Sequence, residues 1–125
     1  MAREIIRTLD APASPLFSQA VKAGNTVFVS GTVGTDPVTG EAGPTIEEQA
    51  RQALVNCEAI LRAARADLSH VVDVHVLLRD PGDAEAFNEV YATFFPSDPP
   101  ARCVSKLGVD RPGILVSVKL TAVLD

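Results

Sequence analysis

Residues 45–78 read TIEEQARQALVNCEAILRAARADLSHVVDVHVLL, and the change of period inside this stretch decides the fold class. As far as about Ala66 the apolar residues Ile46, Ala50, Ala53, Leu54, Cys57, Leu61 and Ala64 recur on one helical face. Thr45 can cap that helix, with Glu48 placed to complete a capping box. From Val71 to Leu78 the pattern becomes extended and apolar on both sides, as in a strand with both faces covered.

Working outward, residues 83–94 predict a second helix with Ala86, Phe87, Val90, Tyr91 and Phe94 inward. The prolines at 96, 99 and 100 end it. Residues 102–107 and 114–124 read as the last two strands, joined by the Gly- and Pro-containing loop around residues 110–113. Upstream, residues 25–31 form a clear strand, since Val27, Phe28 and Val29 are β-branched or aromatic and Gly24-Asn25 signals a turn. Residues 4–9 and 17–21 are shorter extended segments, split by a proline-containing stretch, and residues 36–44 form a loop. The order β, β, β, α, β, α, β, β predicts one α+β domain over residues 1–125, with two helices on one face of the sheet. The strand residues Val27, Val29, Val116 and Val118 are expected to need cover from other copies of the chain.

A chain of 125 residues can bury a sufficient core without metal or disulfide. Sixteen acids against eleven Lys and Arg give a formal charge of −5, the wrong sign for neutralising many phosphates. Nucleic acid is therefore not an expected partner, although Arg102, Lys106, Arg111 and Lys119 all fall in the last quarter of the chain. The N-terminal MAREIIRTLD carries charges where a signal peptide needs an apolar run, and no apolar run reaches membrane-spanning length. A cytoplasmic chain without a membrane partner is expected. Cys57 and Cys103 read as free thiols, and neither His70 nor His75 stands at metal-ligand spacing with another ligand. No glycine-rich nucleotide-binding pattern is present, so no cofactor is expected.

Two stretches carry the functional signal: FVSGTVGTDPVTGE at residues 28–41, and FNEVYATFF at residues 87–95 with Pro100-Ala101-Arg102 after it. With Phe17 to Val21 (FSQAV), the Ala-rich helix and the terminal strand, they resemble the RidA/YjgF family of imine and enamine deaminases. The resemblance runs nearly end to end. It implies a chorismate-mutase-like fold, assembled as a homotrimer with a barrel-like centre and with sites between neighbouring subunits. The implied ligand is a small carboxylate-bearing imine, enamine or 2-oxo acid.

Arg102 matches the arginine that holds the substrate carboxylate in such proteins, and a planar five-donor fork suits that task. Without the resemblance it would read as a surface arginine at a strand start. Ser30 and Gly31 match a turn whose backbone lines the pocket, and Asn88 matches a helix asparagine near the pocket mouth. Three departures stand out. Phe17 replaces a hydroxyl-bearing tyrosine and Val104 replaces a cysteine, while Cys103 should point away from Arg102 by strand alternation. Lys119 stands where active deaminases have the glutamate credited with positioning the hydrolytic water. A protonated lysine cannot act as that base. The candidate catalytic residues are thus Arg102 and Lys119, and the candidate substrate-binding residues Phe17, Ser30, Gly31, Asn88, Arg102 and Val104. The residues leave open a non-catalytic small-acid binder, or an enzyme acting on a different substrate.

Overall fold

In the computed structural model, which describes residues 2–125, Thr45 caps the long helix α1 (Ile46–Ala63). Its side chain accepts from Glu48 N, and the Glu48 carboxylate accepts from Thr45 N in return. The other elements are β1 (Glu4–Ile6), β2 (Ala20–Ala23), β3 (Thr26–Val33), β4 (Val71–Leu78), α2 (Ala84–Phe94), β5 (Ala101–Lys106) and β6 (Val116–Val123). They build a six-stranded sheet in the order β1-β2-β3-β6-β4-β5. Only β4 and β5 pair in parallel, so the sheet is mixed. The expected α+β class is therefore correct.

Boundaries move by up to three residues: α1 ends at Ala63, short of about Ala66, β6 begins at Val116, not at 114, and three further moves have a visible reason. The strand expected over residues 17–21 begins instead at Ala20, and the one expected over 4–9 stops at Ile6. Between them the Gln19 amide donates to the carbonyls of Thr8, Ala11 and Pro12, while its oxygen accepts from Thr8 N. That knot ties residues 8–19 into a loop and removes the groups a strand ladder needs. The strand at residue 26 runs past the expected end at Gly31 as far as Val33, through a bulge between Val29 and Thr32.

The core lies between the sheet and the two helices, with Leu54, Cys57, Ile60, Leu61, Phe87 and Val90 meeting Val74, Val76 and Leu120. Val27, Val29, Val116 and Val118 are fully buried in this layer within one chain. The expectation that other copies cover these valines is therefore wrong. Strand alternation turns them under the helices and turns Val21, Phe28, Lys119, Thr121 and Val123 to the opposite, open face. β4 likewise has only one covered face, since Val71, Val74, Val76 and Leu78 are buried while Asp73 is exposed.

Two buried amides fasten α1 to the sheet. Asn56 donates to Val33 O and Thr35 O, and Gln49 donates to Gly43 O and Gly113 O while accepting from Leu115 N. A Cβ on Gly34 would lie 2.2 Å from Gln49 O, so only glycine lets β3 end this close to the helix. No helix among the described residues is long and apolar enough to cross a membrane.

Candidate functional site

The β4–α2–β5 crossover builds one concave surface. Asn88 and Tyr91 lie one turn apart on α2, and β5, paired in parallel with β4, is an edge strand of the described sheet, so its first residues face α2 at an open sheet edge. Arg102 shares its row with buried Val74, which turns its side chain to the helix side. Its guanidinium carbon sits 4.7 Å from the centroid of the Tyr91 ring, and Nη1 donates to Asn88 Oδ1 at 2.8 Å. With Ala92, Phe95, Pro99 and Pro100 these residues line a cavity of about 350 Å³. The Tyr91 hydroxyl is buried there without a hydrogen-bond partner. Burial pushes its pKa up, and the Arg102 charge opposes that rise.

A second concave surface forms where β3 outruns β2. Pairing between these strands ends at Ala20 and Val29, and Ser30 N donates to Gln19 O. Past that point the β3 edge has no strand beside it. Phe17, Ser30, Gly31, Thr32 and Arg111 line the resulting cavity of about 380 Å³. Its polar side chains are mostly committed: Ser30 Oγ donates to Ser18 O, Thr32 Oγ1 donates to Ser30 O, and Gln19 holds the loop knot.

The structure thus brings Arg102 together with Asn88, and Phe17 together with Ser30 and Gly31, but it does not bring the two groups together within one chain. β6 and β4 separate β3 from β5, a span of about 14 Å at ordinary strand spacing. Val104 joins neither group; it lines a separate groove with Leu78, Pro81 and Ala84. Cys103 points to the open face, as alternation predicts, and is exposed. Cys57 is fully buried, and burial pushes its thiol up to about 12.

Lys119 lies on the open face, so it and Arg102 occupy opposite faces of one sheet. Its strand is central, which removes the ordinary explanation of an aggregation-blocking lysine on an edge. Its Nζ donates to Val29 O at 3.3 Å, beside the bulge at Ser30 and Gly31, and its cross-strand neighbour is His75. His75 Nε2 is 2.8 Å from Ser105 Oγ.

Sequence reasoning did not single out two residues that line these cavities. Tyr91 was expected only as a core residue, although its position three residues after Asn88 places both on the same side of α2. Arg111 lies in a loop with no periodicity, and nothing in the sequence linked it to Gly31.

A family model described as endoribonuclease L-PSP matches residues 8–124. The chain belongs to this family, the RidA/YjgF family. It is 40% identical over 123 residues to a mouse protein named 2-iminobutanoate/2-iminopropanoate deaminase, a match covering 97% of this chain and 91% of that one. Among solved structures, RidA from the Antarctic bacterium Psychrobacter sp. superposes with a TM-score of 0.92 at 36% identity, covering 97% of this chain and 99% of that one. E. coli TdcF with bound serine superposes with a TM-score of 0.92 at 31% identity, covering 98% and 99%. The RidA-like fold expected from the sequence is thereby established, down to the two helices on one sheet face.

Proposed function

We propose that this RidA-family chain binds small carboxylate-bearing imines or enamines in a cleft between two subunits and hydrolyses them to 2-oxo acid and ammonia. The observation that carries the reading is the Arg102 cradle. A guanidinium fixed by Asn88 and by an aromatic face, at an open sheet edge, presents its remaining donors to a planar carboxylate. The Gly31 backbone edge supplies the complementary wall, and a neighbouring subunit is what would bring it opposite Arg102. The family resemblance supports an assembly of three copies.

The chemistry asks little of the protein. Water adds to the carbon of a protonated imine, the carbinolamine transfers a proton to its nitrogen, and ammonia leaves as the carbonyl forms. Among the described residues, no carboxylate lines either cavity. Catalysis therefore comes from orientation and from holding the substrate in its electrophilic form, without a strong base. Phe17 walls the pocket, and the backbone near Gly31 orients imine and water.

Ammonia release from imino acids freshly generated by an amino-acid oxidase tests the reading. The wild type should accelerate release from 2-iminobutanoate, and Arg102→Ala should abolish the acceleration while remaining folded. Equal rates with and without the wild-type protein would refute it.

A further inference from the structure

We infer that Arg111 supplies the cleft with a second carboxylate anchor, so that its preferred substrates are imines derived from dicarboxylic amino acids. The inference rests on the intersubunit cleft proposed above and names its substrate class.

Among the described residues, Arg111 is the one charged residue lining the Gly31 cavity, and no acid lines it. No carboxylate pairs with it among the described residues, where the single ion pair joins His70 to Asp67. Its backbone is nonetheless held in place. Arg111 O accepts from Arg79 Nη1 at 3.3 Å and from Ile114 N at 3.2 Å, and Arg79 N itself donates to Leu115 O. The loop thus projects a guanidinium from a fixed root.

Most of the other side-chain donors around this cavity are spent; Ser14 Oγ, which accepts from Leu16 N, is a neutral exception. Gln19, Ser30 and Thr32 all donate to main-chain carbonyls. An anion entering the cavity therefore finds Arg111 as its remaining side-chain cation. In a cleft whose far wall carries Arg102, the two guanidinia would stand at opposite ends of the ligand. A four- or five-carbon dicarboxylate places its two anions in that relation, whereas a monocarboxylate leaves Arg111 unused.

Lys119 is a weaker candidate for this role. It lies on the open face, and its ammonium already donates to Val29 O.

The test uses stable 2-oxo acids as probes in calorimetry with the full chain: 2-oxoglutarate as dianion and 2-oxobutanoate as monoanion. The wild type should bind 2-oxoglutarate at least roughly tenfold more tightly, the scale expected for one charge-assisted bidentate contact. R111A should erase that preference by weakening 2-oxoglutarate, and R111E should reverse it. R102A should weaken both acids. If R111A leaves the preference unchanged, or the wild type favours 2-oxobutanoate, the inference fails while the Arg102 anchor stands. Should the wild type bind neither acid, the cleft itself is wrong and the inference falls with it.

Discussion

Arg102 and Tyr91 form a stacked pair, guanidinium over ring, and the hydroxyl of that ring is buried without a partner. Tyr91 holds the guanidinium from below while Asn88 holds it from the side. Replacing Tyr91 by Leu should free the guanidinium and weaken 2-oxobutanoate binding by about 1 kcal/mol, the scale of a partly exposed cation–π contact. Tyr91→Phe keeps the ring face and removes an unsatisfied buried oxygen, so the melting temperature should rise, by the equivalent of about 1 kcal/mol. Calorimetry and thermal melts on both variants check this. If Phe lowers affinity as much as Leu does, the hydroxyl touches the ligand and the ring is not the operative part.

Assembly should depend on the open sheet face. Phe28 is 46% exposed there, with Val21 and Thr121 as its cross-strand neighbours. Covering such apolar surface contributes about 25 cal/mol per Å². Phe28→Glu would place a charge at that surface without touching the helix-side core. Light scattering should give a trimer for the wild type and a smaller species for Phe28→Glu, with unchanged circular dichroism and lost ammonia release. A wild-type monomer at micromolar concentration would remove both the assembly and the cleft.

Cys57 should make stability fall at alkaline pH. Its thiol pKa rises from 9.0 to about 12, chiefly through desolvation by burial. A group raised on folding contributes fully below its unfolded value, and that contribution is lost as pH climbs from 9.0 toward 12, because the unfolded chain releases the proton first. The loss should approach about 1.4 kcal/mol per pH unit. Urea midpoints between pH 8 and pH 11 should fall more steeply for the wild type than for Cys57→Ala. Parallel slopes would place Cys57 in contact with water.

The fold was legible wherever the pattern is local. The Thr45–Glu48 box, the apolar face of α1 and the Val71–Leu78 strand needed only periodicity and capping chemistry. What could not be read was which sheet face each valine chose. The bulge at Ser30 and Gly31 shifts the β3–β6 register, and α1 covers one face only. The Gln19 knot was equally hidden, because its partners at Thr8, Ala11 and Pro12 are set by a loop path and not by spacing. Within the candidate site, Arg102 and Asn88 were found through resemblance and do meet. Val104 was grouped with them because it stands where the resembling family has a cysteine two residues after the arginine, yet Leu78, Pro81 and Ala84 form a groove of their own around it.

Lys119→Glu tests whether the open-face row beside the bulge reaches the reacting water. The lysine donates to Val29 O, a bond that a carboxylate cannot make, so the variant should lose about 1 kcal/mol of stability. In exchange the position gains a proton acceptor next to the Ser30–Gly31 edge, where the proposed reaction needs water to add to an imine. General-base assistance contributes typically about 10²–10⁴-fold, and a position not built for it should reach only the low end. Ammonia release from 2-iminobutanoate should therefore increase at least roughly tenfold in Lys119→Glu. Lys119→Ala, which removes the cation without adding a base, should leave it near the wild-type rate. The gain should also fade as pH drops toward about 4.3, where an ordinary glutamate protonates. An equal increase in both variants would mean that Lys119 acts by repelling a cationic imine, and no increase in either would place its side chain outside the cleft.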